Sequence, residues 1–158
     1  MTIVVDVANV MGSRPDGWWR DRAGAAVRLH AQIARLAASG GAILPPPGND
    51  EDAPEEDTPA FVLVLEGAAR GAVSRLPAAD PGETGAARTG AARTDAARPG
   101  EVRVVEASGS GDDAIVAVVR ELPGRRVVVT ADRELRARCV AAGAEILGPG
   151  WLLGLLRA

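Results

Sequence analysis

Apolar residues along the chain fall into short unbroken runs separated by longer stretches of helical period. Residues 2–7 read as a first strand. The SRPD stretch at 13–16 has the spacing of a capping box, and from it a helix is predicted to run to about residue 39, with Leu29, Ile33 and Leu36 at i, i+4 and i+7. Gly40 and Gly41 end that pattern. Residues 60–66 form the second run and residues 102–107 the third. Beyond them lie a helix at 112–122, a strand at 125–131, a helix at 132–143, a strand at 144–147 and a final helix at 148–157. Strands that are nearly all apolar and alternate with helices are covered on both faces. The expected fold is therefore α/β, a three-layer α/β/α domain over residues 1–158 around a central, mostly parallel sheet of about five strands.

Two segments stand outside this pattern. Residues 45–59 are Pro-rich and acidic and read as a mobile loop. Residues 77–100 contain TGAARTGAARTDAARPG, a short imperfect repeat with no apolar face, which reads as a flexible insert, or as a basic arm gripping RNA through Arg88, Arg93 and Arg98. Composition adds a few limits. All 18 basic residues are Arg, and Cys139 is the sole cysteine, which excludes an internal disulfide framework and suits a reducing compartment. With no basic-then-apolar leader and no apolar run of about 20 residues, a cytoplasmic protein without membrane attachment is expected. Net charge is −3, but six acids and no base lie between Asn49 and Pro59; setting these aside turns the balance from −3 to +3. Arg125, Arg126, Arg133, Arg136 and Arg138 crowd one region, either as a phosphate-facing patch or as a solvated face with salt bridges to Glu134.

Asp6 raises the chemical question. It closes a buried apolar run, and an ionised carboxylate leaves water only at high cost unless a cation, metal or hydrogen bonds replace the solvent. No helix is expected to start directly after it, so a capping role does not explain it. Ligands of parallel sheets bind beyond the carboxyl ends of the strands, and that edge collects Asp6, Glu66, Asp112, Asp113 and Asp132. Rotation of about 100° per helical residue places Asp112 on the stripe of Ile115, Val118, Val119 and Leu122, and turns Asp113 away. Asp132 shares a stripe with Leu135 and Cys139. Taken singly, Asp132 and the SGDD stretch at 110–113 also make ordinary helix caps. Three or four acids at one edge repel one another unless a divalent cation sits among them, and oxygen-only donors select Mg²⁺ or Mn²⁺. Such a site suits phosphoester hydrolysis. Asn9 either orients water or phosphate there or satisfies its own turn. Trp18 and Trp19 are expected to anchor the first helix on the core rather than stack on bases. Arg14, Arg20 and Arg22 flank the same opening, as phosphate-steering groups or as solvated charges. His30 lies too far from any acid for catalysis, and Cys139 packs. The last helix either closes the core or pairs with another copy as a homodimer.

The stretches DVANVMG (6–12), GSGDDAIV (109–116) and VVTADREL (128–135) follow one another as in the NYN branch of the PIN-like nucleases, and the chain resembles its bacterial YacP-type proteins. LVLEGAA (63–69) corresponds more loosely, with Glu66 where such proteins often carry Asp. The resemblance spans nearly all of the chain outside the two irregular segments. It implies a PIN-like (NYN) fold and a Mg²⁺- or Mn²⁺-dependent ribonuclease. Asp6, Asp112 and Asp132 would be its metal-binding catalytic acids, with Asn9 and Asp113 close by, and Arg14, Arg133 and Ser110 would lie along the substrate. RNA, free or ribosome-presented, is the partner it implies. A catalytically weak RNA- or protein-binding module and a hydrolase of free nucleoside triphosphates are the alternatives. GSGDDA also fits a dinucleotide fingerprint, but two acids in the first helical turn would repel a pyrophosphate.

Overall fold

The computed structural model describes residues 1–40, 58–76 and 97–157. The acidic loop and the Ala/Arg insert expected from the sequence fall mostly outside these residues. Five strands, β1 (Thr2–Asp6), β2 (Ala60–Leu65), β3 (Val102–Glu106), β4 (Arg126–Val129) and β5 (Glu145–Leu147), form one sheet in the order β3-β2-β1-β4-β5. Every neighbouring pair is parallel, so the sheet is wholly parallel. Its central strands are apolar except at their ends because both faces are covered. Ile3, Val4 and Val5 of β1 are fully buried, as are Phe61 of β2 and Val128 and Val129 of β4.

Alternation along the strands sorts the core into two layers. Ile3, Val5, Phe61, Leu63, Val127 and Val129 face α1 (Val7–Gly12), α2 (Arg22–Ala38), a 3₁₀ segment (Gly67–Arg75) and α5 (Pro149–Arg157). Val4, Val62, Val64 and Val128 face α3 (Gly111–Glu121) and α4 (Arg133–Ala141). The 3₁₀ segment is unusually long for its type. Its buried Ala69 and Ala72 recur at three residues, the period of a 3₁₀ helix, and their small side chains let it lie close against α2.

Two local expectations are corrected. SRPD does not start the long helix: Ser13 ends α1, its N–H donating to the carbonyls of Asn9 and Val10. Pro15 and Gly17, the latter at φ 75, then turn the chain into a short 3₁₀ turn (Trp18–Arg20). Asp21 caps α2 instead, accepting from the N–H of Gly24 at 2.9 Å. The second correction concerns Asp6. A helix does start at once, because Asp6 itself is the N-cap of α1 and accepts from the N–H of Asn9 at 3.3 Å. Among the described residues no helix is long and apolar enough to cross a membrane.

Phe61 is the largest fully buried side chain and sits on a strand paired on both sides. Phe61→Ala is expected to cost about 3–5 kcal/mol of folding free energy, read from the urea midpoint; a loss under about 1 kcal/mol would place the core elsewhere.

Candidate active site

In the order β3-β2-β1-β4-β5 the chain runs outward from β1 in one direction, then returns across the sheet to continue on the other side at β4. The crevice beyond the carboxyl ends of β1 and β4 is thus a topological switch point, where open α/β sheets bind ligands. Val5 pairs with Val129, so the next residues, Asp6 and Thr130, come side by side. Both continue the alternation of Val4 and Val128 towards α3 and α4, and Glu66 continues that of Val64.

Asp6 is 8% exposed and Thr130 is fully buried. The Thr130 hydroxyl donates to Asp6 Oδ2 at 3.0 Å, while its oxygen accepts from the N–H of Asp132 at 3.2 Å. Asp132 in turn caps α4 by accepting from the N–H of Leu135 at 2.8 Å. Asn9 Oδ1 accepts from the N–H of Ala131 at 2.9 Å. The β1–α1 and β4–α4 junctions are therefore tied together by side-chain bonds on both sides of Asp6. Asn9 satisfies a loop from the other end of the chain, and its amide NH₂ has no hydrogen-bond partner among the described residues. Sequence reading missed Thr130. The signal was available, since Thr130 is the first polar residue after the fully apolar Val127–Val129 run, as Asp6 is after Ile3–Val5.

Glu66 Oε2 accepts from the N–H of Gly111 at 2.7 Å. A Cβ at position 111 would stand 2.3 Å from that oxygen, so glycine is what lets the carboxylate reach the first turn of α3. Asp112 follows, half-buried, and makes no hydrogen bond or ion pair among the described residues. Asp113 points away as expected and pairs with Arg138 at 2.8 Å while staying 72% exposed. Ser110 caps α3, accepting from the N–H of Asp113. Asp132, expected on a buried stripe, is exposed, because the cap residue lies outside the helix and escapes its phase.

The charges are unbalanced. Burial pushes the Asp6 carboxyl above its ordinary value; the bonds from Asn9 and Thr130 oppose this, and the charges of Asp112 and Glu66 add to it. Burial also raises Asp112, followed by repulsion from Asp132 and Glu66, with Arg138 easing it in part. The acids expected to meet do feel one another. As the side chains stand, however, no three Asp, Glu, His or Cys groups among the described residues close on a single point. Cys139 lies beneath them, fully buried, and burial raises its thiol, which fits packing.

The arginine-rich region matches neither expectation in full: among the described residues none of its guanidinium groups pairs with Glu134, and its ion pairs go to Glu145 and Asp113 instead. Arg125 pairs with Glu145 at 2.6 Å, Arg138 with Asp113, and Arg126 donates to the carbonyls of Val119 and Gly143, so three of the five guanidinium groups are engaged within the fold. Arg133 and Arg136 stay exposed on α4. The tryptophan pair divides: Trp18 packs against the core, whereas Trp19 is 57% exposed.

The crystal structure of a variant of Rae1 (YacP) from Bacillus subtilis matches this fold with a TM-score of 0.58, over 99% of this chain and 74% of that one, at 14% sequence identity. The fold is PIN-like. At this identity the likeness speaks for the architecture and relates it to a YacP-type protein. No family model and no curated protein matches the chain.

Two measurements follow from the network. Removing the hydroxyl in Thr130→Val is expected to cost about 1–3 kcal/mol at neutral pH, since it leaves a buried carboxylate oxygen unmatched; unfolding free energies at the wild-type level would show that the bond contributes nothing. Asp6 and Asp112 titrate above the usual 3.8 in the folded chain, so the folded state holds these protons more tightly than the unfolded one. Stability is therefore undiminished by them below 3.8 and falls as pH rises through the raised values. Asp112→Asn is expected to flatten that fall in urea midpoints taken across a pH series, and an equally steep fall in the variant would contradict the repulsion.

Proposed function

We propose that the chain is a divalent-metal-dependent ribonuclease that hydrolyses RNA phosphodiester bonds at the carboxyl edge of β1 and β4. The observation that carries this reading is that acids from four separate βα junctions act on one another at a single sheet edge, Asp112 and Glu66 pressing on Asp6, and Asp132 and Glu66 on Asp112. A second support is the PIN-like fold shared with a YacP-type protein. The donor set fits a hard cation in its chemistry, being all oxygen and net negative, with both oxygens of Asp112 free. Asp112, Asp6 and Asp132 are the residues that would hold Mg²⁺ or Mn²⁺, and Asp113 is turned to Arg138 instead. A cation bound there supplies charge stabilisation at the phosphoryl oxygens and lowers the pKa of water.

The chain's own residues divide the remaining work. Thr130 and the N–H of Asn9 fix the Asp6 carboxylate and leave it little freedom to turn. Asp112, free of hydrogen bonds, can reorient towards an incoming ligand. The Asn9 amide NH₂ can donate to a phosphate oxygen held next to Asp6.

One observation favours a second reading, a binding module of the same fold with weak or no turnover: three of the four acids already accept protein N–H or O–H groups, and no trio closes on one point. Incubating the protein with mixed RNA and Mn²⁺, with and without chelator, separates the two. Chelator-sensitive cleavage is expected, lowered by on the order of a hundredfold or more in Asp6→Asn and Asp112→Asn, the scale on which losing one charge-stabilising group acts. Mn²⁺ at a hundredfold excess over its Kd is also expected to stabilise the wild type by about 2.7 kcal/mol, and Asp112→Asn much less. RNA left intact under all these conditions, with no Mn²⁺-dependent stabilisation, would favour the binding module.

A further inference from the structure

The two helical layers differ sharply in charge. α3 and α4 carry Asp112, Asp113, Glu121 and Glu134, whereas α1, α2, the 3₁₀ segment and α5 contain no acid at all. Arg28 and Arg35, seven residues apart on α2, project from one exposed face, about 10 Å from each other along the axis. Arg157 at the end of α5 and Arg14, whose guanidinium donates to Gln32 Oε1 at 2.8 Å, join the same side. Among the described residues none of these four forms an ion pair. Burial, and then the charges of Arg157 and Arg28, pull the Arg14 guanidinium below its ordinary value against the pull of Asp16. A groove of about 280 Å³ runs between α2 and α5, with Gln32, Arg35 and Ser39 on it and Leu36, Leu155 and Leu156 as its apolar lining.

A helix that links adjacent parallel strands runs back along the sheet. The first residues of α2 therefore lie towards the carboxyl edge, the edge of Asp6. Just before them stands Trp19, 57% exposed, its ring held edge-on against Trp18 at 6.2 Å, while Arg22 lies over Trp18 at 5.4 Å. Folding leaves a large ring in water here, beside arginines, at the carboxyl-edge end of the α2 layer.

We propose that the outer face of α2 and α5 binds the phosphate backbone of single-stranded RNA through Arg28, Arg35 and Arg157, and that Trp19 stacks on a base where the strand turns towards the acids. The proposal rests on RNA being the substrate and adds the path by which it arrives. Stacking platforms beside a positive groove are how proteins hold single strands without reading sequence. An anionic membrane is disfavoured, because among the described residues Trp19 is the one large exposed apolar side chain on this face, and interfacial helices need a broad apolar face to bury.

Fluorescence anisotropy of a labelled single-stranded RNA of mixed sequence, in chelator so that nothing is cut, tests this. Arg28→Ala combined with Arg157→Ala is expected to weaken binding about tenfold or more. It should also flatten the slope of log K against log salt by about 1.4, from roughly 0.7 for each lost phosphate contact on a single strand. Trp19→Ala is expected to weaken binding about tenfold, with most of the loss restored in Trp19→Phe. Arg120→Ala, on α3 of the other layer, should bind as the wild type does. All four substituted residues are exposed, and far-UV circular dichroism checks that the variants are folded. An unchanged Kd and salt slope in the arginine variant would overturn the proposal, as would retention by phosphatidylserine vesicles without RNA binding. Cleavage of RNA with unaltered binding by these variants would sink this path and spare the ribonuclease reading. Arginine-dependent RNA binding without any Mn²⁺-dependent cleavage would do the reverse.

Discussion

One carboxylate taken out of water organises this molecule. Asp6 ends the central strand at a depth where its charge cannot be solvated, and the fold replaces water with the N–H of Asn9 and the hydroxyl of Thr130. Burying an ion is tolerable only when such partners are fixed in place. Fixing them requires that the junction after β4 be locked to the junction after β1. The same Thr130 oxygen takes the N–H of Asp132, and Asn9 takes that of Ala131, so one buried charge sets the relative position of α1 and α4. The replacement is incomplete, since Asp6 still titrates high, pressed by Asp112 and Glu66. The proposed function accounts for that residual cost, because stability alone would be better served by fewer acids.

The charge pattern of the whole molecule follows a related logic. Negative groups collect at the carboxyl edge on the side of α3 and α4, and unpaired arginines collect on the side of α2 and α5. A polyanion could not approach the acidic edge unaided, since like charges repel it. An acid-free helical layer adjoining that edge offers it a favourable route and raises its local concentration. The net charge of −3 hides this arrangement, because it sums over both sides and over the acidic segment between residues 49 and 59.

The periodic parts of the fold were legible in advance. Apart from α1 and the start of α2, strand and helix positions follow from the sequence to within a residue or two, because continuous apolar runs and 3.6-residue stripes are local properties of the chain. Non-periodic elements were not. The short helix α1 was overlooked because its Asp-x-x-Asn start serves equally well as a cap and as a catalytic pair. The long 3₁₀ segment was overlooked because Gly and Ala carry little pattern. The start of α2 was misplaced because two candidate caps, Ser13 and Asp21, compete, and only the turn forced by Pro15 and Gly17 decides between them.

The sequence by itself determined that acids would stand at the carboxyl edge of parallel strands, since Asp6 and Glu66 close apolar runs and Asp112 and Asp132 lie in the junctions that follow the next two. Tertiary structure alone decided which of them press on one another, which is capped and which left free, and that Thr130 rather than a second acid flanks Asp6. It also decided that, among the described residues, three of the five arginines near residues 125–138 are engaged within the fold while Arg28, Arg35 and Arg157 form no ion pair. The reason is physical: periodicity is written within a window of a few residues, whereas strand order brings β1 beside β4 across more than a hundred residues, and neighbours at that separation are chosen by packing of the whole sheet.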